Sequence, residues 1–362
     1  MRDFRNQIAR GFSPYLPGEQ PQGAGWVKLN TNENPYPPSA KVLQALGQSA
    51  EHPDLLRKYP HPFSESLKEL IAQHYKIPAD FVTIFNGSDE ALAVICRCVL
   101  DAKDDAAYAA VSYSLYPVLI EQAGGHPQPV PMHNSDGLTL RIDQNALREH
   151  TARLKFLTNP NAPTGEFLEN DKVVQLLNNT ESLWVVDEAY HEFTRRPSMA
   201  TLVSDYENLI VVRTFSKSHS LAGLRVGYTI CGNTFVNAAL NAFKDSYNLD
   251  SIACRLASAA MLDAEYTQST VEKIIASRDS LLQKLSDLKF SVLPSSANFL
   301  LAKPPASISA EDLYLKLKDN KILIRYFKNS EVSEFVRITI GTEEENTQLL
   351  SAIKKIINGS NG

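Results

Sequence analysis

Short apolar runs rich in β-branched residues recur along this chain, and several lead into segments with helical spacing. Val82–Phe85 runs into a helix expected over 88–100, and Lys155–Thr158 precedes one near 169–178. Leu183–Val186 and Ile210–Thr214 repeat the strand pattern. Runs apolar at nearly every position, rather than at alternate ones, suit strands covered on both faces of a parallel sheet. The alternation therefore predicts an α/β fold with a mostly parallel, doubly wound sheet. With 362 residues, there is chain for about two domains.

The ends depart from this pattern. Residues 1–40 are rich in Pro, Gly and Asn and read as an irregular arm. A helix is expected over 64–76, where Leu67, Leu70 and Ile71 repeat at helical spacing. Beyond residue 262 one long helix is expected over 264–288. Strands follow at 290–293, 298–302, 322–326 and 335–340, with helices near 310–318 and 343–357. Three parts result: the arm (1–40), joining the small domain or a dimer interface; a large domain (41–262); and a smaller α+β domain (263–362).

Charge and cysteine content narrow the function. Lys and Arg total 36 against 41 Asp and Glu, a net charge of −5 that gives no reason to expect nucleic-acid or anionic-membrane binding. The best candidate span, Ala91–Leu100, is short and interrupted by Arg97. The first twenty residues hold no apolar stretch of signal-peptide length, so export is not expected. Four cysteines are too few for a disulfide scaffold. Cys96 and Cys98 lie about 200° apart around a helix, and Cys231 and Cys254 lack ligand-spaced neighbours, so no metal is expected. A cytoplasmic protein fits this usage.

Five stretches carry candidate chemistry. In TFSKSHSLAGLRVG (Thr214–Gly227), Lys217 follows a strand's carboxyl end, where ligands bind in open α/β sheets. Partly removed from water, such a lysine becomes a usable amine nucleophile; taken alone, the Ser-Lys pair reads rather as a solvated strand-end lysine. Arg225 sits between Gly223 and Gly227, which allow close backbone approach, and its fork suits a phosphate. In LWVVDEAYHEF (Leu183–Phe193), Asp187 ends a buried run and needs a partner such as a protonated ring nitrogen, with Tyr190 close behind. A Walker-type magnesium carboxylate is the competing reading, but no GxxxxGK[ST] accompanies it. FNGSDEA (Phe85–Ala91) turns a strand into a helix whose start can hold an anion, with Ser88 as its N-cap. TNPNAPTG (Thr158–Gly165) is dense in turn-formers. In FVRITIG (Phe335–Gly341), Arg337 is either salt-bridged structure or an anion clamp.

Together with KLNTNENPYPPS (Lys28–Ser39), the KYPHP around Tyr59 and RITIGTEEE, these motifs stand in one order along essentially the whole chain. The set resembles the fold-type I pyridoxal-phosphate (PLP) aminotransferases, and within them looks most like the histidinol-phosphate aminotransferase family. The resemblance implies the PLP-dependent transferase fold, type I. It makes Lys217 the residue that forms a Schiff base with PLP and then shuttles a proton. Asp187 would keep the pyridine nitrogen protonated, and Tyr190 would bond the phenolate oxygen. Ser216 and Arg225, with Ser88 and Asp89, would hold the phosphate, and Tyr113 would stack on the ring. Tyr59 would reach that phosphate from a neighbouring subunit, which implies a homodimer.

The chain departs from the family in two places. Val111 and Ser112 replace the usual Pro-Thr before Tyr113. Ala162 stands where an Asn is common, leaving Asn161 as the candidate substitute. His219 reads as packing. On the substrate side, the resemblance implies Arg337, Arg325 and Tyr15 around an anion; Asn32 and Glu33, in the arm, are candidates to face an imidazole. The implied reaction converts histidinol phosphate and 2-oxoglutarate to imidazole-acetol phosphate and glutamate, in histidine biosynthesis. An aromatic amino-acid aminotransferase or a threonine-phosphate decarboxylase would share most of these motifs. A non-catalytic ligand-sensing regulator on the same fold is the remaining alternative.

Overall fold

In the computed structural model, residues 2–11, 13–134, 139–328 and 331–359 are described. The outermost positions of the expected arm and small domain, 1 and 360–362, lie outside them. The strands are β1 (Val27–Lys28), β2 (Val82–Phe85), β3 (Asp105–Ala109), β4 (His126–Val130), β5 (Met132–His133), β6 (Arg141–Ile142), β7 (Leu154–Thr158), β8 (Leu183–Asp187), β9 (Leu209–Thr214), β10 (Gly227–Cys231), β11 (Ser291–Val292), β12 (Phe299–Lys303), β13 (Ile322–Leu323), β14 (Arg325–Tyr326) and β15 (Val336–Thr339).

The apolar runs do what two-sided burial requires. Seven strands form one sheet in the order β2-β10-β9-β8-β7-β3-β4, in which only β10 runs against its neighbours. Successive residues serve opposite cores. Val186 and Val211 pack with the helices Glu65–Tyr75 and Ser251–Met261, while Val185, Ile210 and Val212 pack with the helix Gly87–Val99. Arg213 is buried inside β9 and is neutralised by Glu188 at 2.7 Å and by Glu192. The sequence pattern does not reach β3 or β4. The first is alanine-rich, and the second carries two prolines, which an edge strand tolerates.

A second sheet, in the order β11-β12-β15-β14, is antiparallel throughout. It packs with the long helix Ala264–Asp287 through Ile274, Ile275, Leu281 and Leu285, and with Ala310–Asp319 through Leu313 and Leu317. The expected strand 322–326 is two strands. β13 turns to the arm, pairing parallel with β1 (Val27↔Ile322, Lys28↔Leu323), and after Ile324, β14 pairs with β15. The arm is thus less irregular than its composition suggests: it holds a helix at Gln7–Gly11 as well as β1. Leu29 extends the connection, its carbonyl accepting from the Thr339 N–H at 3.0 Å. No helix among the described residues is long and apolar enough to cross a membrane.

Candidate active site

Five strands end at one rim of the large sheet: β2 at Phe85, β3 at Ala109, β7 at Thr158, β8 at Asp187 and β9 at Thr214. The segments beyond them border a cavity of about 520 Å³. Every site residue expected from the sequence lines it except Asn161 and Tyr59.

Lys217 lies three residues past the end of β9. Its amine donates to the Thr31 carbonyl at 3.2 Å and sits 5.6 Å from the centre of the Tyr190 ring. Burial, reinforced by the Arg337 guanidinium, brings its pKa from 10.5 down to about 8. At pH 7 about a tenth of such amines are free base, against roughly one in three thousand for an exposed lysine. Asp187 is buried, with one oxygen accepting from the Tyr116 phenol at 2.9 Å and the other from the Ala189 N–H at 3.1 Å. Burial pushes its pKa up to about 6, against the pull of those two bonds. Tyr190 accepts from the Asn32 amide at 2.9 Å, which leaves its own O–H to donate into the cavity.

One side of the cavity is built for an anion. Gly87 opens the helix Gly87–Val99 with φ +84°, and a Cβ there would lie 2.7 Å from Arg225 Nη2. A Cβ on Gly227 would lie 2.4 Å from the Ser88 nitrogen. These two glycines let the guanidinium and the helix start come together. Gly223, expected to share that task, faces open space. Ser88 is not the N-cap either: the helix begins one residue earlier, and Asn86 occupies the cap position with its N–H on the Glu90 carboxylate. Ser216 Oγ accepts from Arg225 Nη1 at 3.4 Å and from Thr214 Oγ1 at 3.0 Å. The Asp89 carboxylate is taken by Arg225 and by the Tyr113 hydroxyl, both at 3.0 Å, so it orients those groups, and the helix-start N–H groups remain for an anion.

Another side is formed by β14, β15 and the arm. Arg337 donates from Nη2 to the Asn30 carbonyl at 2.8 Å and lies over the rings of Phe299 and Phe327, 5.4 and 5.6 Å from their centres. Its Nε is buried without a partner, and among the described residues no carboxylate lies within salt-bridge distance of it. Arg325 is held by the carbonyls of Leu16 and Pro17. Tyr15, edge-on to Tyr113 at 6.0 Å, completes this side. Of the two readings open for Arg337, salt-bridged structure finds no carboxylate among the described residues. Glu33 borders the same cavity but is paired with Lys28.

Two further expectations need correction, those for Asn161 and Asn32. Asn161 turns away from the cavity: its amide donates to the Val111 carbonyl and to Thr164 Oγ1, both at 2.9 Å, and the wall there is the Ala162 side chain. Asn32 lines the cavity, yet its side chain is committed to Tyr190 and to the Thr339 hydroxyl at 3.1 Å rather than left for a ligand. Tyr59 is 82% exposed, stacked on Tyr247 at 4.6 Å, and outside this chain's own cavity. His219 packs on Phe215 at 4.7 Å, as expected. Sequence reasoning missed Tyr116, Thr158 and the Thr31 carbonyl. A usable signal existed for Thr158, which ends a strand in parallel register with the one that Asp187 ends. Among the described residues no cluster of three or more His, Cys, Asp or Glu side chains is placed to hold a metal.

The same layout is found in known proteins. The chain is 39% identical over 355 residues to histidinol-phosphate aminotransferase 1 of Nostoc sp., covering 98% of each chain. It is 41% identical over 365 residues to the enzyme of that name from Hydrogenovibrio crunogenus, covering all of both. Its fold superposes with a TM-score of 0.83 on the crystal structure of histidinol-phosphate aminotransferase from Sinorhizobium meliloti in complex with pyridoxal-5'-phosphate, at 27% identity and covering 92% of this chain and 91% of that one. The model of the family "Aminotransferase class I and II" matches residues 24–353, a span that takes in every cavity residue from Asn30 to Arg337. With its lysine and acid at the strand ends and its sequence matched almost throughout, the chain belongs to the class I and II aminotransferases.

Proposed function

We propose that this chain is a PLP-dependent histidinol-phosphate aminotransferase, exchanging the amino group between histidinol phosphate and 2-oxoglutarate. Arg337 carries the proposal: a desolvated guanidinium with no carboxylate partner among the described residues is costly to keep unless an anion arrives to pair with it. With Arg325 and Tyr15 it offers several donors, suited to a doubly charged phosphate and equally able to take the carboxylate of glutamate. The relatives' names support the choice of amino compound.

The residues present fit PLP. A buried acid with a raised pKa suits a ring nitrogen that must stay protonated, and a desolvated amine suits an aldehyde. The helix start at Ser88, with Ser216 and Arg225, suits a phosphate brought close by Gly87 and Gly227. When bound, PLP supplies an electron sink for the substrate's Cα. Lys217 would take the proton from that carbon and return it on the cofactor side, and its lowered pKa suits both tasks near neutral pH. Asp187 would hold the ring nitrogen's charge, Tyr190 would donate to the ring oxygen, and Tyr113 would cover the ring.

A substrate panel tests the reading. With 2-oxoglutarate as acceptor, histidinol phosphate is expected to be used well ahead of phenylalanine and threonine phosphate. Consumption of threonine phosphate alone, with release of CO₂, would replace the reading with a decarboxylase.

We also propose a homodimer that completes each site. Tyr59 and Tyr247 form an exposed stacked aromatic pair, as a subunit interface requires. Sedimentation should give twice the 40.2 kDa chain mass, and Tyr59→Ala should retain PLP less well. A monomer that binds PLP normally would remove Tyr59 from the site. The four cysteines are all free, which suits a reducing cytoplasm, and cell fractionation tests that location.

A further inference from the structure

We propose that Tyr116, backed by Thr158, is a positioning residue that keeps the Asp187 carboxylate ionised and aimed at the cofactor's ring nitrogen. The inference rests on the PLP reading above.

Tyr116 opens the helix Tyr116–Gln122 and is wholly buried. Its ring is fixed by stacking on Phe156, with centroids 4.6 Å apart and planes 16° from parallel, and by an edge contact with Tyr113 at 5.7 Å. Packing alone would be satisfied by phenylalanine. The hydroxyl is spent differently: it lies 2.9 Å from Asp187 Oδ2 and 2.7 Å from Thr158 Oγ1. A phenol has one proton, and an ionised carboxylate only accepts. Tyr116 therefore donates to Asp187, and Thr158 must be the donor to Tyr116. The chain of donors runs one way, from Thr158 to Tyr116 to Asp187, and each bond polarises the next.

The sheet sets this chain up. Thr158 and Asp187 are register partners at the ends of β7 and β8, so their side chains emerge side by side on one face. The Asn159 N–H holds the Asp187 carbonyl at 2.8 Å, which locks the two strand ends together. Asp89 from the helix Gly87–Val99 and Glu188 from beside Asp187 itself both oppose its ionisation, as does burial. Tyr116 and the Ala189 N–H oppose all three. Removing the phenol leaves only the Ala189 N–H as a direct donor, and the acid moves toward its neutral form at neutral pH.

The test is PLP affinity measured from pH 6 to 9 on purified apoprotein, with Tyr116→Phe, Thr158→Val and Asp187→Asn beside the wild type. A bond to a charged group of this kind is worth roughly ten- to hundredfold in equilibrium terms. Tyr116→Phe should therefore bind PLP about tenfold more weakly at pH 7, with the difference closing toward pH 9 as the carboxylate ionises. Thr158→Val should move the profile the same way by less. Loss of packing would weaken binding equally at every pH, and that result overturns the proposal. A Tyr116→Phe profile matching the wild type, while Asp187→Asn loses affinity, also overturns it and leaves the PLP reading standing. If Asp187→Asn binds PLP as the wild type does, the PLP reading of Asp187 fails, and this proposal fails with it.

Discussion

Replacing Lys217 with alanine should reduce transamination of histidinol phosphate to background while leaving a folded protein. Among the described residues Lys217 is the one lysine lining the cavity, and its pKa of about 8 keeps a working fraction unprotonated near neutral pH. Loss of a positioned proton carrier typically removes about 10²–10⁴-fold in rate, and here the covalent anchor is lost as well. Little stability should be lost with it. Its hydrogen bond goes to the Thr31 carbonyl of the arm, and no ion pair among the described residues is broken. Borohydride reduction of PLP-loaded protein followed by peptide mapping should place the label on the Lys217 peptide in the wild type and nowhere in the variant. Turnover within tenfold of wild type, or label on another lysine, would remove Lys217 from the reaction.

The second large effect is expected at Arg337→Ala, and it should fall on binding. Removing one partner of a desolvated, hydrogen-bonded charge pair typically costs about 2–5 kcal/mol, or roughly thirty- to several thousandfold. The phosphate is held away from the bonds that change, so most of the loss should appear in KM for histidinol phosphate and less in kcat. The KM for glutamate should rise in parallel if the same guanidinium serves both half-reactions. Stability gives an independent check. Since Arg337 has no carboxylate partner among the described residues, its removal orphans no buried charge, and thermal unfolding should barely move. A KM within twofold of wild type would return Arg337 to a structural role.

What the sequence made legible follows from how local the cause was. β8 and β9 could be read because burial on both faces leaves apolar residues at nearly every position, and the chemistry could be placed because it follows directly after such runs. Lys217, Asp187, Tyr190 and Arg225 are all within a few residues of a strand end. The misses depend on partners distant in sequence. Nothing in Asn-Ala indicates that Asn161 turns back to the Val111 carbonyl, fifty positions away. Nothing near Tyr116 indicates that its hydroxyl meets an aspartate contributed by β8. The helix start at Gly87 escapes the sequence for a smaller reason: asparagine and serine are equally good caps, so residue type does not decide between Asn86 and Ser88. β13 was merged with β14 because a continuous apolar run does not reveal that its two halves pair with different neighbours.

The strap formed by Asn30 to Asn32 has a consequence for the order in which the protein can mature. Its carbonyls receive Arg337 and Lys217, and Asn32 bonds Thr339 across a separation of 307 positions. On the ribosome, the strap emerges 307 positions ahead of the Thr339 that fixes it. A nascent polypeptide can have the lysine, the aspartate and most of the large sheet assembled and still lack the clasp that seats the two cationic groups. Competence for catalysis therefore waits until β15 has been made and has met the strap.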